Sequence, residues 1–209
     1  MDALHDAQNF GVEPAAHLLA ALAPEYPGGS VFLSVVDPGV GGKRDAIVVR
    51  AGGRTFVGPD NGLMSILWQR ARRRKCLRIA WRPQRLSSSF HGRDLFAPAA
   101  AALATRRVPK GWLAAKASPA ILLDPADLAQ VIYIDHYGNC MTGIRANGVS
   151  RSARLRAGKR LLPWARTFDD ARGAFWHENS LGLVELSAPR TSAARTLGLR
   201  IGYPIRIAR

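Results

Sequence analysis

The run Val31-Phe-Leu-Ser-Val-Val36, followed at once by Asp37-Pro-Gly-Val-Gly-Gly42, constrains the fold more than any other part of the sequence. Six residues dominated by β-branched and aromatic side chains, without polar alternation, read as a strand covered on both faces. The glycines after it force a turn and let other backbone approach closely. A buried strand ending in a carboxylate suits an α/β sheet, whose ligand crevices open at the C-terminal ends of its strands.

The flanking sequence supports that frame. Val12–Ala23 places Ala15, Leu18, Leu19 and Leu22 at helical spacing, and Pro24 stops it. Ala46–Arg50 and Thr55–Val57, joined by Gly52-Gly53, predict a hairpin. Gly62–Arg72 is expected to be helical, with Asp60 or Asn61 as its cap. Leu77–Trp81 reads as a short strand and Asp94–Thr105, rich in alanine, as a second helix. The pattern then dissolves between Val108 and Pro125 into a linker or surface crossing.

Short strand-length runs follow at Gln130–Asp135, Met141–Ile144, Arg160–Leu162, Gly182–Leu186 and Pro204–Ile207, which suggest a small barrel or sandwich. The expected architecture is α/β: an N-terminal α/β sandwich over residues 1–115, a linker over 116–126, and a small C-terminal β-barrel domain over 127–209.

No apolar stretch approaches the roughly 18 residues of a membrane span, and the start carries acids without basic residues, so neither a membrane helix nor a secretory signal is expected. Cys76 and Cys140 have no metal-type spacing and read as reduced bystanders in a cytoplasmic protein. The formal charge of +15 is uneven: residues 1–42 hold five acids and no Lys or Arg. The densest basic stretch, Arg70 to Lys75 continued by Arg78, Arg82 and Arg85, reads as a solvated face, because exposed aromatics and a recognition helix do not accompany it. A basic nucleic-acid-binding protein stays open only as a lesser alternative.

Three segments set reactive side chains directly after or beside apolar runs. In the first, Arg44 lies seven residues beyond Asp37 across the glycine loop, either as a salt bridge bracing the turn or as part of a site. In the second, Phe90-His-Gly-Arg-Asp94 offers His91 as a base or hydrogen-bond donor, or as a structural cap. In the third, Asp135-His-Tyr-Gly-Asn139 offers a carboxylate, an aromatic face and an amide, or a plain Asx-type turn with Tyr137 packed inward.

In order and spacing, Val36-Asp-Pro-Gly-Val-Gly41, Gly58-Pro-Asp-Asn-Gly62, Phe90-His-Gly-Arg-Asp94 with Phe96-Ala-Pro98, Asp135-x-Tyr-Gly-Asn139 and Asn179-Ser-x-Gly182 resemble the S-adenosylmethionine hydroxide adenosyltransferases, relatives of the fluorinases and chlorinases. The resemblance implies hydrolysis of S-adenosylmethionine to adenosine and methionine by attack of water on the ribose 5′ carbon, without a metal or cofactor. It implies catalytic roles for Asp37, Arg44 and His91, with the roles of Asp37 and His91 unranked. It places the substrate against Asp135, Tyr137, Asn139, Asn179, Ser180, Asn61 and Phe90. It also implies a homotrimer with sites between subunits; no membrane partner is expected, and a nucleic-acid partner stays the lesser reading.

The halogen-transferring relatives carry tyrosine and serine where this chain has His91-Gly92, which favours water as nucleophile. Family members open with a strand ending in Thr-Asp-Phe-Gly, and Met1 here corresponds to a point roughly 50 residues into that pattern. The first strand and a ribose ligand are therefore expected to be missing, leaving an inactive binding remnant as the other reading.

Overall fold

A computed structural model describes residues 1–208. They form two compact units, one of residues 9–125 and one that joins Met1–Gln8 to the chain from Ala126 onward.

The first unit is built on a five-stranded sheet in the order β1-β3-β2-β4-β5. Its strands are β1 Val31–Leu33, β2 Ala46–Ala51, β3 Arg54–Pro59, β4 Arg74–Ile79 and β5 Leu113–Lys116. β1 runs parallel to β3, and the other neighbours are antiparallel. Alternation along β2 fills both faces with apolar side chains. Ile47, Val49 and Ala51 point to a core with Phe56, Met64 and Trp68. Ala46 and Val48 point to the opposite core with Val57, Ile79, Leu95 and Phe96. Helices α1 Val12–Leu22 and α2 Ser65–Arg70 supply the first layer, and α3 Ala97–Ala104 supplies the second. The result is the expected α/β sandwich.

Four local expectations change. The apolar run 31–36 is a strand only over Val31–Leu33, at the sheet edge; Leu33 and Val35 are exposed, because β3 is β1's one strand neighbour among the described residues. The second helix is preceded by a π-helical turn over Gly92–Phe96. Pro98, lacking an N–H to return to the turn, leaves it free of α spacing. Helix α2 starts at Ser65 with Met64 before it and no side-chain cap, so Asp60 and Asn61 act elsewhere. The segment read as featureless contains β5, whose Leu113–Lys116 backbone pairs with Ile79–Cys76. Beyond it, Ala120 N–H donates to Asp60 and Leu123 N–H to Ser65 Oγ, so the crossing is pinned to its own unit.

The second unit holds a four-stranded antiparallel sheet, β10-β11-β7-β6, and a three-stranded one, β12-β8-β9. These comprise β6 Leu128–Ile134, β7 Cys140–Arg145, β8 Arg154–Ala157, β9 Arg160–Leu162, β10 Phe175–Glu178, β11 Leu183–Ser187 and β12 Ile205–Ala208. The sheets share a core around Val131, Leu155, Trp176, Val184, Leu186 and Ile205. In place of the expected closed barrel they touch through isolated bridges, Gln130 to Pro204 and Trp164 to Trp176. Strands β8 and β10 escape sequence reading: β8 is half arginine, and β10 is four residues long without strict alternation.

Phe56 is fully buried and stacks on Phe32 at 4.9 Å between centroids. Phe56→Ala removes a ring the sheet cannot collapse around, and chemical denaturation should show a loss of about 3–5 kcal/mol.

Candidate active site

Asp37 follows β1, Arg44 precedes β2, and His91 leads into the π turn. All three meet. Arg44 Nε donates to both Asp37 oxygens at 3.0 Å, and one terminal nitrogen, Nη2, also engages Asp37 Oδ2. That same nitrogen lies 2.9 Å from His91 Nδ1. The salt bridge expected across this loop is formed, and His91 joins it. The ion pair is almost sealed: the side chains of Arg44 and Asp37 are 11% and 4% exposed.

The local chain is shaped to allow this. Gly41 has φ +79°, and a Cβ there would run into the Ser88 carbonyl oxygen, so only glycine lets the loop lie against the segment leading to His91. Asn61 donates from Nδ2 to the Val36 carbonyl at 2.8 Å and accepts from Leu63 N–H. It therefore fixes the residue before Asp37. Asp60 is buried, accepts from Ala120 N–H, and pairs with Lys116, which also holds Asp45. Phe96, noted in the sequence only as part of a motif, lies beneath the group, with the Arg44 guanidinium 5.2 Å from its ring centroid. Phe90 is exposed instead, with Arg93 stacked on it at 5.0 Å.

The contacts fix the proton on His91. A guanidinium has no lone pair to offer, so Nδ1 must be the acceptor and the neutral ring carries its hydrogen on Nε2. Burial, and then the adjacent Arg44 charge, push its pKa below the ordinary value of 6.5, so the ring is neutral at neutral pH. Asp37 is the one group of the three with acceptor capacity to spare: Oδ2 already accepts from both Nε and Nη2 of Arg44, and Oδ1, which accepts only from Nε, retains a lone pair. Arg44 Nη1 has no partner among the described residues and remains a donor.

A second constellation belongs to the other unit. Asp135 accepts from Asn139 N–H at 2.8 Å and from Asn139 Nδ2 at 2.9 Å, closing the turn after β6. Gly138, at φ +89°, could not bear a Cβ beside Ser192. With its amide nitrogen spent on Asp135, Asn139 presents its Oδ1 as a free acceptor. Tyr137 is 70% exposed, against the inward-packed alternative, and lies on His136. These residues line a cleft of about 660 Å³ with Phe168, Arg190, Thr191, Ser192 and Arg195.

Sequence reading missed these last five. The segment Arg190–Arg195 carries no strand pattern, and the start of α4 Ala193–Leu197 is marked only by Ser192, whose Oγ caps Arg195 N–H. Arg190 sits at φ +57°, a conformation that costs a non-glycine residue about 1–2 kcal/mol. Asn179 is not in the cleft. Its Oδ1 accepts from Leu181 and Leu183 N–H and its Nδ2 donates to Glu185, the plain hairpin-turn alternative; Ser180 beside it is exposed.

Comparison with known proteins agrees with this order of motifs. The family model described as the SAM hydroxide adenosyltransferase N-terminal domain matches residues 1–111, and the one described as its C-terminal domain matches 129–206. The chain is 35% identical to an (R)-S-adenosyl-L-methionine hydrolase of Thermus thermophilus, covering 99% of this chain and 87% of that protein. It is 36% identical to a protein of the same name from Salinispora arenicola, covering 99% and 85%. A fluorinase of Actinopolyspora mzabensis is 24% identical over all of this chain and 87% of its own length. Among solved structures, an uncharacterised conserved protein of Thermotoga maritima superposes with a TM-score of 0.87 at 28% identity, covering 100% and 88%.

Asp37→Ala leaves Arg44 buried without its counter-charge and should cost about 3–5 kcal/mol, whereas Asp37→Leu with Arg44→Met should stay near the parental stability; thermal melts separate the two. A second expectation concerns pH. With its folded pKa below the unfolded value of 6.5, His91 binds fewer protons in the folded state, so its contribution to stability is complete above 6.5 and is lost as pH falls through the folded pKa. His91→Gln should flatten that part of the stability–pH curve.

Proposed function

The chain belongs to the SAM hydroxide adenosyltransferase family, and from that premise we propose that it hydrolyses S-adenosylmethionine to adenosine and methionine. The observation that carries the reading at the level of residues is the shared guanidinium: Arg44 holds Asp37 and His91 at once, behind the turn that follows a sheet strand.

Water is a poor nucleophile at neutral pH, and the reaction asks for an oxygen with hydroxide character aimed at a carbon beside a sulfonium. The geometry supports a division of labour. Arg44 Nη1 and His91 Nε2–H donate to the water oxygen and stabilise negative charge as it develops. Asp37 accepts a hydrogen bond from that water and is the group placed to receive its proton. His91 is thus a donor and not a base, because its one lone pair is turned to Arg44. The new bond joins water oxygen to the 5′ carbon; the carbon–sulfur bond breaks, its electron pair returns to sulfur, and methionine departs as a neutral thioether. Because the leaving group brings the positive charge, no cofactor is needed to draw electrons from the carbon.

For binding, the cleft of the second unit suits the purine: Tyr137 offers an exposed ring for stacking and Asn139 Oδ1 an acceptor for an exocyclic amine. Asp135, its oxygens partly engaged by Asn139, is assigned first to shaping that turn and second to an ammonium group of the substrate. Asn61 acts by positioning Asp37, and the exposed ring of Phe90 is proposed as a substrate contact. A cytoplasmic homotrimer, with substrate shared between neighbouring subunits, is the proposed working form. Among the described residues no helix is long and apolar enough to cross a membrane.

Purified protein incubated with S-adenosylmethionine should release adenosine, followed by chromatography; no release under any condition tested would overturn the activity. In His91→Ala, turnover should drop by about 10²–10³ with KM little changed, as for loss of one oxyanion donor. A change confined to KM would instead make His91 a binding residue.

A further inference from the structure

At the far end of the first unit's sheet, about one strand length from Asp37, a second cleft of about 490 Å³ opens beside the Gly52-Gly53 hairpin. Its walls are Arg50, Arg54, Thr55, Arg73, Arg74 and Lys75. Register places Thr55, Arg50 and Lys75 side by side on one face across three strands. Directly opposed like charges destabilise a sheet, so Arg50 beside Lys75 is unfavourable unless something outside the chain neutralises it.

Among the described residues no carboxylate of the unit pairs with either side chain, Glu13, Glu25 and Asp124 included. Asp37, Asp45, Asp60 and Asp94 are spent at the other end on Arg44, Lys116 and Arg93. Arg50, Arg73 and Lys75 are exposed and have no acidic partner among the described residues. Two other walls are already fixed. Arg54 is tied to the carbonyls of Pro24, Gly52 and Tyr26. Arg74 donates to the Trp68 carbonyl at 2.9 Å and lies 4.9 Å over the Trp68 ring. The Arg54 donors are largely spent on their carbonyls, so Arg54 contributes fixed positive charge, whereas Arg74 keeps Nε and Nη2 to donate. A pre-fixed guanidinium lowers the ordering cost of binding, and its planar fork matches phosphate oxygens.

The choice of anion follows from size and from the missing aromatic. The cleft has the volume of a small-molecule site. Trp68 is buried beneath Arg74 and no aromatic side chain is among the cleft walls, so they hold no platform on which the bases of a single strand could stack. We propose that this cleft binds a compact oligophosphate chain, read through its phosphates alone and separate from the hydrolytic site.

Calorimetric titration at about 50 mM salt tests this with tripolyphosphate, orthophosphate, cytidine triphosphate and a single-stranded oligonucleotide, on the full chain and on Arg50→Gln with Lys75→Gln. Tripolyphosphate and the nucleotide should bind alike and much more tightly than orthophosphate. The double variant should lose roughly tenfold or more in affinity. It should also keep its hydrolytic rate and melt no lower than the parent when unliganded, since the repulsive pair is gone. The proposal falls if tripolyphosphate does not saturate, if the double variant binds it unchanged, or if orthophosphate binds as well, which marks a stray anion only. It falls equally if the nucleotide binds far better than tripolyphosphate, or if the oligonucleotide wins, which makes the surface a nucleic-acid interface.

Discussion

One guanidinium ties the loop that carries it to a histidine 47 residues further along the chain. Arg44 sits between the carboxylate after β1 and the imidazole before the π turn, so the loop, the sheet and the second helical layer are tied at a single charged group. Because the pair is nearly dry, neither partner can be spared without stranding the other. The surrounding features are arranged to keep that group in place. Phe96 supports it from the core, Asn61 holds the backbone ahead of Asp37, and Gly41 lets the loop lie flat against Ser88.

The same tie sets the chemistry. A charged arginine on Nδ1 decides which nitrogen of His91 carries the hydrogen, and the lowered basicity of the ring follows from burial beside that charge. The sequence left Asp37 and His91 interchangeable as proton acceptors. The hydrogen-bond directions separate them, since a donor to the ring's free electron pair leaves the carboxylate as the one acceptor in the group.

Much of the frame was legible because it depends on local periodicity. The α1 pattern and the β2–β3 hairpin can be read from neighbouring side chains. What escaped was set by distant partners. Whether Val31–Val36 is buried depends on how many strands flank it, and only β3 does among the described residues. The π turn depends on the combination of Pro98 with packing of Leu95 and Phe96. In the cleft of the second unit, Phe168 and Arg190–Arg195 reach Tyr137 from segments with no periodic signature, whereas the Asp135–Asn139 turn announced itself by composition. Asn179 shows the reverse case: its motif was conspicuous, yet its side chain is consumed by the turn it makes.

The two cysteines, set aside as bystanders, fall one in each unit: Cys76 on β4 and Cys140 on β7, both buried. Burial, foremost, pushes their thiols up to about 11 and about 12, so neither reacts while its sheet is closed. Each is therefore a natural latch indicator. The pace at which a thiol reagent modifies one or the other measures the opening of its own unit, and comparing the two paces tells whether the halves of the chain breathe together or apart.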